Sequence, residues 1–396
     1  MEVIPFTYLK GWLSATEADA LLASLEARSD WTQGWIRMFG REVPEPRLTF
    51  FEGDPGVRYT YAHRPLEGRG WSPELEALRE RISAWYGSRF GVQVPARRIV
   101  VTAGASGALL LACMALIEDG DEVLMPDPSY PCNRHFVSAS QGRAVLLATD
   151  AAQRFQLSAS QVKAHWGAKT RGVLLASPSN PTGTSVAATE LKAIHSVVQQ
   201  HDGITMVDEI YLGLSYDDAF AQTALAIDDQ IISINSFSKY FNMTGWRLGW
   251  MVAPLDAAKA AANLQSHLSS NVSNISQRAA LTALTGDQQP VKDMLAAFDR
   301  RRQLAVSEMN KVPGVVTPTP KGAFYIYSDV SGLLGKNWGG KQINSSLELC
   351  DYALDAAEVA MVPGEAFGPT GYVRLSYALG DDQLVAGIQR LQRLFS

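Results

Sequence analysis

Residues 236–250 read SFSKYFNMTGWRLGW, and they are the most informative stretch of the chain. This stretch sets Lys239 among small hydroxyl residues and glycines, with Arg247 eight positions further on. A lysine at the corner between a strand and a loop can form an imine with an aldehyde, and nearby hydroxyl and guanidinium groups can hold a phosphate. The combination predicts a site for pyridoxal phosphate, which carries both groups.

The composition favours an enzyme that acts on small molecules. The chain has 396 residues, 46% of them apolar, a net charge of −5 and an isoelectric point near 5.8, which predicts no nucleic-acid partner. Its three cysteines (Cys113, Cys132 and Cys350) lack C-x-x-C spacing, so neither a disulfide framework nor a metal site is predicted. The longest apolar run, 108–117, is too short for a membrane span, and we expect a cytoplasmic protein.

The N-terminal segment, residues 1–75, differs from the rest of the chain. A helix is predicted over 14–27, and prolines at 44, 46, 55 and 65 divide the remainder of the segment into short pieces. The run 40–82, with EPRLTFFEGDPGVRYTYAH and WSPELEALRERI, resembles the N-terminal part of AlkB-type iron/2-oxoglutarate demethylases, and the resemblance ends near residue 83. Because no histidine is followed two places later by aspartate, an iron site and demethylase chemistry are not predicted.

From residue 76 onward, short apolar strands alternate with helical patterns. This alternation predicts an α/β fold with a mostly parallel sheet that is covered by helices on both faces. We divide this part into a large domain, 76–285, and a smaller α/β domain, 286–396, with a helix break at Pro290. The predicted strands are 98–102, 122–125, 144–148, 172–176, 204–207, 231–234, 323–327 and 372–377.

The motifs of residues 76–396 resemble those of fold-type I, class I/II aminotransferases. The resemblance rests on S-x-x-K followed by G-x-R-x-G in 236–249, SPSNPTGT in 177–184, MVDEIY in 206–211 and GYVRLSYA in 371–378. It implies pyridoxal phosphate as the cofactor, amino acids and 2-oxo acids as substrates, and a homodimer with the site at the subunit boundary.

Several residues are candidates for the chemistry of the cofactor ring. Lys239 is the candidate for the covalent attachment and for proton transfer. Asp208 comes at the end of an apolar strand, so its carboxylate is predicted at the carboxyl end of that strand, against the pyridine nitrogen. Its neighbour Glu209 is expected to face away in a structural ion pair. The resemblance implies that Tyr211 and Asn180 lie beside the ring oxygen, and that Asn180 also reaches the substrate carboxylate.

The remaining candidates concern the phosphate, the ring face and the substrate. Ala105 and Ser106 precede a helix, whose N–H groups and dipole favour an anion. The resemblance implies that the Ser106 hydroxyl, Ser236 and Arg247 form the phosphate site together with these N–H groups. It also implies that Tyr130 stacks on the cofactor ring.

Arg374, inside an apolar strand, matches the arginine that grips the substrate carboxylate, for which a planar guanidinium group is suited. No arginine occurs in 269–277 to bind a second carboxylate, which favours neutral amino acids.

The predicted function is transamination between an amino acid and a 2-oxo acid. Three alternatives stay open at this point: a β-lyase of the same fold, a cofactor-binding fusion protein with little turnover, and a nucleic-acid-binding module in the N-terminal segment. Residues 1–83 contain 10 Lys/Arg against 13 Asp/Glu, which argues against the last alternative.

Overall fold

The computed structural model describes residues 32–38, 41–49, 58–61, 64–67, 73–269 and 271–396, together with Thr16 and Ala23. Side chains are described for Thr16, Ala23, 77–269 and 271–396. The chain divides into two compact units, Met1–Pro73 and Glu74–Ser396.

The first unit contains two antiparallel strand pairs. Strand β1 (Thr32–Met38) pairs with β2 (Arg41–Thr49), and β3 (Arg58–Tyr61) pairs with β4 (Arg64–Glu67). The predicted helix over 14–27 lies outside the described residues, except for Thr16 and Ala23, which are both helical.

From residue 73 to residue 208, helices and strands alternate as the sequence predicted, and three successive helices follow between residues 255 and 309. The strands are β5 (Ile99–Thr102), β6 (Glu122–Asp127), β7 (Arg143–Ala148), β8 (Thr170–Ala176), β9 (Ile204–Asp208), β10 (Ile232–Ser236), β11 (Gly249–Val252), β12 (Tyr325–Asp329), β13 (Lys336–Trp338), β14 (Lys341–Ile343), β15 (Val362–Pro363) and β16 (Tyr372–Ser376). The α-helices are α1 (Pro73–Phe90), α2 (Gly104–Leu116), α3 (Pro131–Ala139), α4 (Ala159–His165), α5 (Ala188–Gln199), α6 (Leu255–Ser269), α7 (Asn274–Thr285), α8 (Gln289–Met309), α9 (Ser346–Ala357) and α10 (Asp381–Leu394). Short 3-10 helices are Ala96–Arg98, Leu212–Leu214, Asp218–Phe220, Ala224–Ala226, Thr244–Trp246, Ser331–Leu333 and Gly364–Ala366.

A seven-stranded sheet in the order β5-β11-β10-β9-β8-β6-β7 forms the centre of the second unit. All its neighbouring strands are parallel except at β11, which runs antiparallel to both β5 and β10. The carboxyl ends of the other six strands therefore meet at one edge, and the first residue of β11 lies at that same edge. The predicted α/β fold with a mostly parallel sheet is confirmed.

Helices bury both faces of this sheet. The strand side chains alternate between the faces, so Met206 belongs to one apolar cluster and Val207 to the other. Helices α2 and α6 cover the first face, where Leu109 and Ala261 are buried. Helices α4 and α5 cover the second face. This two-sided burial explains why the strands are apolar throughout rather than alternating in polarity.

The C-terminal part contains its own antiparallel sheet, in the order β12-β16-β15. Helices α8 and α10 pack against each other, and Pro290 occupies the first turn of α8, which confirms the helix break. The predicted strand 323–327 is displaced by two residues, since β12 covers Tyr325–Asp329. The division into domains 76–285 and 286–396 stays a prediction. Among the described residues, no helix is both long and apolar enough to cross a membrane.

Candidate active site

A cavity of about 300 Å³ lies beside the carboxyl edge of the seven-stranded sheet. A cavity at this edge is the usual ligand site of an open α/β sheet, and its volume is at the lower end of the range for small-molecule pockets. Its lining residues are Ala105, Ser106, Leu109, Tyr130, Ala176, Pro178, Asn180, Asp208, Ile210, Tyr211, Ser238, Lys239, Thr244, Arg247, Tyr325 and Arg374. Every residue that the sequence predicted for the site is present in this set except Ser236.

The direction of β11 brings Arg247 to the cavity. Gly249, the first residue of β11, pairs with Thr102 in β5 and with Ser236 in β10. Arg247, two residues earlier, has φ 49° and ψ 52°, a left-handed conformation that turns the chain at this point. A Cβ atom on Gly249 would lie 2.7 Å from the Asn235 carbonyl oxygen, so the turn requires glycine at that position.

Asp208 lies at the carboxyl end of β9 and is 6% exposed. Its Oδ1 accepts a hydrogen bond of 3.0 Å from the Ile210 backbone amide. Burial raises the pKa of Asp208 to about 6, while the Ile210 hydrogen bond and the charge of Lys239 act in the opposite direction. A cationic ring nitrogen at this position would favour the ionised carboxylate further.

Glu209 is buried away from the cavity, and its carboxylate is fully hydrogen-bonded. It accepts hydrogen bonds from Thr223 Oγ1 (2.8 Å), from the Ala224 backbone amide (2.6 Å) and from Ser233 Oγ. The expectation that Glu209 faces away is confirmed, but the expected ion pair is wrong, since no cation pairs with Glu209 in the part of the chain that the structure describes. Hydroxyl groups and one amide stabilise this carboxylate instead of a cation.

Lys239 follows β10 and places its amine near two aromatic rings. Its Nζ lies 5.8 Å from the centre of the Tyr211 ring and 5.7 Å from the centre of the Phe324 ring. Burial lowers the pKa of Lys239, the charges of Arg247 and Arg374 lower it further, and Asp208 opposes them. This environment favours the uncharged, nucleophilic amine.

The N-terminus of α2 and Arg247 meet on one side of the cavity. Gly104 begins α2, and a Cβ atom on it would lie 2.9 Å from Arg247 Nη2. The absence of a side chain there lets the guanidinium group approach the first turn of the helix, where Ala105 and Ser106 present their amides. A helix N-terminus and a guanidinium group together suit an anion.

Ser236 does not line the cavity. Its Oγ lies 2.9 Å from both Ser238 Oγ and the Leu248 carbonyl oxygen, and the residue is 1% exposed. Ser238 lines the cavity in its place, together with Thr244, whose hydroxyl donates to the Ser238 carbonyl (2.9 Å). The sequence pattern identified the hydroxyl-rich segment but not which hydroxyl reaches the cavity.

Arg374 and Asn180 both line the cavity and are hydrogen-bonded to each other. Arg374 Nη1 donates a hydrogen bond of 2.8 Å to Asn180 Oδ1. Arg374 Nε is buried and has no hydrogen-bond partner among the residues that the structure describes. A buried donor without a partner costs free energy, and a carboxylate at this position would satisfy it.

Three tyrosines, Tyr130, Tyr211 and Tyr325, form the aromatic part of the lining. The Tyr211 and Tyr325 hydroxyl oxygens are 2.9 Å apart, and burial raises the pKa of both side chains. Tyr130 also lines the cavity, and a hydrogen bond with Cys132, followed by burial, raises its pKa to about 12. All three phenols are therefore protonated at neutral pH and can donate hydrogen bonds.

The sequence placed Ser238 and Thr244 only among the hydroxyl residues around Lys239, and it did not single out Ile210 or Tyr325 as lining residues. Ile210 lies between Asp208 and Tyr211, and Ser238 precedes Lys239. Thr244 lies in the 3-10 helix before Arg247, and Tyr325 belongs to the segment KGAFYIY. Their proximity to predicted site residues was a usable signal for the first three. Tyr325 reaches the cavity from a distant strand.

The groups present fit pyridoxal phosphate. A partly buried amine suits the aldehyde, a buried carboxylate suits the ring nitrogen, phenol and amide groups suit the ring oxygen, and a helix N-terminus with Arg247 suits the phosphate. Gly104 leaves the space that this arrangement needs, and the unpartnered Nε of Arg374 remains for a substrate. Cations outnumber carboxylates in the lining, which favours an anionic occupant.

Comparisons with known proteins agree with this chemistry. The model of the family Aminotransferase class I and II matches residues 63–391. The chain is 41% identical over 331 residues to an aspartate aminotransferase of Streptomyces avermitilis, covering 83% of this chain and 80% of that protein.

Two crystal structures are similar to the chain in fold. The aspartate aminotransferase of Rhizobium meliloti has a TM-score of 0.77 and 35% identity, with 81% of each chain covered. An aromatic aminotransferase of Pyrococcus horikoshii has a TM-score of 0.75 and 33% identity, covering 81% of this chain and 86% of that one. The resemblance of residues 40–82 to AlkB-type demethylases gains no support from these matches, and the family match overlaps that segment from residue 63.

Proposed function

The chain belongs to the class I and II aminotransferases, and from this membership we propose individual functions for the residues that line its cavity. The protein is a pyridoxal-phosphate-dependent enzyme that transfers an amino group between an amino acid and a 2-oxo acid. When bound, the cofactor supplies an aldehyde that takes up the amino group and a ring that withdraws electrons from the substrate α-carbon. The protein groups bind and orient both molecules and move the protons.

Lys239 is the residue that binds the aldehyde carbon and, once released by a substrate, moves the proton of the α-carbon. Both tasks require an uncharged amine for part of the cycle. The lowered pKa of Lys239 and its place in the cavity with Asp208 and Tyr211 support this assignment.

Asp208 and Tyr211 hold opposite ends of the cofactor ring. The Asp208 carboxylate would pair with the protonated ring nitrogen and would thereby keep that nitrogen positive and the ring electron-withdrawing. The Tyr211 hydroxyl donates to the ring oxygen, and Asn180 donates beside it. The buried position of Asp208 supports this function, because a carboxylate in a desolvated site binds a cation strongly.

The first turn of α2 and Arg247 would hold the phosphate of the cofactor between them. The amides of Ala105 and Ser106 and the Ser106 hydroxyl donate to it, and Arg247 supplies the opposite charge. Ser238 and Thr244, which line this side of the cavity, are further hydroxyl donors. Tyr130 packs against the ring face.

Arg374 binds the substrate carboxylate, with Asn180 as a second donor. The unpartnered Nε of Arg374 and the Nη2 on the same edge of the guanidinium group give a two-pronged donor for a carboxylate, while Nη1 bonds to Asn180. Holding the carboxylate fixes which bond at the α-carbon stands perpendicular to the ring, and thereby which bond breaks.

The observation that carries these assignments is the convergence of Lys239, Asp208 and Tyr211 on one cavity. The test is to reduce the purified, cofactor-loaded protein with borohydride and to map the labelled peptide. We expect the label on Lys239, and none in Lys239→Ala, whereas the exposed Lys311→Ala retains it. A label on another lysine would contradict the assignment.

Transamination and β-elimination by the same residues are distinguished in a half-reaction. Adding one amino acid to the loaded enzyme should convert the cofactor to its amine form, with release of the matching 2-oxo acid. Release of ammonia and pyruvate without the amine form of the cofactor would indicate a β-lyase.

We also propose that the amino donor has a neutral side chain. The cations that line the cavity are Lys239, Arg247 and Arg374, and each already has an assigned function. No further cation among the described lining residues remains for a second substrate carboxylate. The similarity to aspartate aminotransferases favours the opposite conclusion. Faster half-reactions with aspartate or glutamate than with alanine or leucine would contradict the neutral donor.

A homodimer, with residues 286–396 as a small domain in each subunit, completes the proposal. Two large apolar side chains in consecutive helices, Leu268 (55%) and Ile275 (67%), are exposed. The separate sheet β12-β16-β15 supports a distinct small domain. Light scattering should give twice the mass of one chain, and Ile275→Asp should shift it toward the monomer. A monomeric wild-type protein would refute the dimer.

A cytoplasmic location stays a prediction from the free cysteines.

A further inference from the structure

Tyr325 lies between two residues of the proposed site, Tyr211 and Arg374. It is the first residue of β12, lines the cavity and is 7% exposed. Its hydroxyl oxygen is 2.9 Å from that of Tyr211, and the centre of its ring is 4.5 Å from Arg374 Cζ. One side chain therefore contacts both the phenol assigned to the cofactor and the guanidinium group assigned to the substrate.

The contact between the Tyr211 and Tyr325 hydroxyl groups restricts the directions in which their two hydrogens can point. Each phenol has one hydrogen, and only one hydrogen can lie between the two oxygens. If Tyr211 directs its hydrogen into the cavity, then Tyr325 must be the donor in the pair. A hydroxyl that accepts a hydrogen bond becomes a stronger donor itself, by roughly 10–30% per bond. In this arrangement Tyr325 holds the Tyr211 hydroxyl in its donating orientation.

The contact with the Tyr325 ring restricts the orientation of the Arg374 guanidinium group. Arg374 Cζ lies over the Tyr325 ring and 4.9 Å from the centre of the Phe367 ring. Its Nη1 bonds to Asn180, which leaves little freedom for the guanidinium group to rotate. An arginine held in this way loses less conformational entropy when it binds a carboxylate.

We propose that Tyr325 is a positioning residue that orients the Tyr211 hydroxyl through its own hydroxyl and the Arg374 guanidinium group through its ring. The proposal rests on the proposed functions of Tyr211 and Arg374. It assigns the two effects to different atoms of one side chain, so two substitutions separate them. Tyr325→Phe removes the hydroxyl and keeps the ring, and Tyr325→Leu removes both.

The hydroxyl effect is measured by titrating the absorbance of the cofactor-loaded protein with pH. A donor to the ring oxygen stabilises the deprotonated form of the bound chromophore and lowers the midpoint of this titration. Tyr211→Phe should raise the midpoint by about one pH unit, the size of one hydrogen bond. Tyr325→Phe should raise it by about 0.3 unit because it only weakens that bond. The double variant should match Tyr211→Phe, since Tyr325 acts through Tyr211.

The ring effect is measured as substrate KM in the same variants. Loss of a partly desolvated cation–π contact corresponds to roughly a five- to tenfold loss of affinity. Tyr325→Leu should therefore raise KM by about that factor, and Tyr325→Phe should raise it much less. Both substitutions should then shift the midpoint, whereas only Tyr325→Leu should raise the KM strongly, a separation that a merely structural role of Tyr325 would not produce.

The outcomes separate this proposal from the assignment of the site. If Tyr211→Phe shifts the midpoint and Tyr325→Phe leaves it unchanged or lowers it, the hydroxyl function of Tyr325 is refuted while Tyr211 keeps its own. Equal KM values in Tyr325→Phe and Tyr325→Leu refute the ring function. If Tyr211→Phe itself leaves the midpoint unchanged, the proposed function of Tyr211 fails and the hydroxyl function of Tyr325 fails with it.

Discussion

The cavity wall and the buried cluster, which consists of Glu209, Ser236 and their hydrogen-bond partners, contain residues that are neighbours in the chain. The polar groups of the two regions nevertheless find their partners in different ways. All four side chains are buried, but Asp208 and Ser238 line the cavity, whereas Glu209 and Ser236 do not and bond only to protein groups. The wall has groups that a ligand can satisfy, such as Arg374 Nε, and Glu209 accepts bonds on both oxygens. We therefore propose that adjacent positions serve chemistry and stability separately, and substitutions in matched pairs can test this division.

The largest effect is expected for Asp208→Asn in the wall. The amide has nearly the same shape but no negative charge for the ring nitrogen, and losing one member of a buried ion pair costs about 3–5 kcal/mol. Transamination should fall on the order of 10³-fold. The cofactor-free protein should be as stable as the wild type or more so, because an unpaired buried carboxylate is removed. If the variant unfolds instead, Asp208 contributes to the stability of the fold in the same way as the residues of the buried cluster.

The matching substitution in the cluster, Glu209→Ala, should act on stability. It leaves the Ala224 amide and two hydroxyl groups without their acceptor and opens a cavity, which together cost about 2–3 kcal/mol. Activity per folded molecule should stay within a few-fold of the wild type. Denaturant unfolding and active-site titration measure the two quantities. A stable variant with little activity would show that Glu209 belongs functionally to the wall.

The pH dependence of stability gives a finer test of the same cluster. Burial raises the pKa of Glu209 to about 7, from 4.5 for an ordinary glutamate, so the folded protein holds a proton that the unfolded chain releases. The free energy of unfolding should therefore fall as the pH rises from about 4.5 to about 7, by at most about 1.4 kcal/mol per pH unit for one proton.

Glu209→Gln, which keeps the size and removes the titration, is the matched control. Between about pH 6 and pH 7, above the pKa of about 6 for Asp208, the cofactor-free wild type should lose more stability than this variant. The histidines titrate in both proteins, so the difference between the two slopes isolates Glu209. Equal slopes would mean that Glu209 is ionised throughout this range.

The smallest effects are expected at the two serines. Ser238→Ala removes one hydroxyl from the wall and should weaken cofactor binding about fivefold, the value of one neutral hydrogen bond. Ser236→Ala should cost about 1 kcal/mol of stability and change the affinity less. Measuring the equilibrium affinity of both variants for the cofactor shows which of the two serines contributes more to cofactor binding. A stronger effect of Ser236 on binding would restore the prediction made from the sequence.

Much of the site was predictable because its residues lie at or just after the ends of strands. In an open parallel sheet the carboxyl ends of the strands meet, so the order of residues along the chain already predicts that Asp208, Asn180 and Lys239 lie together. The mostly parallel α/β fold is likewise predicted by strands that are apolar on both faces. The choice between Ser236 and Ser238 was not predictable, because it depends on which way the chain turns after β10.

Two further features depended on contacts between distant segments. The antiparallel direction of β11, which brings Arg247 beside Gly104, is a property of pairing with β5 and β10 and leaves no local pattern in four residues. Tyr325 reaches Tyr211 across 114 positions of the chain. The hydrogen-bond partners of Glu209 are likewise supplied by a loop and a neighbouring strand, which is why the sequence suggested an ion pair instead.

Strand ends and helix starts along the chain predicted the α/β fold and which residues meet at the sheet edge, and the resemblance of the motifs implied the family and the cofactor. Contacts between distant segments established which hydroxyl lines the cavity, which groups bond to Glu209, and that Tyr325 contacts both Tyr211 and Arg374. The physical reason is that hydrogen bonds and ring contacts act over a few ångströms between side chains, while the sequence records only their order along the chain.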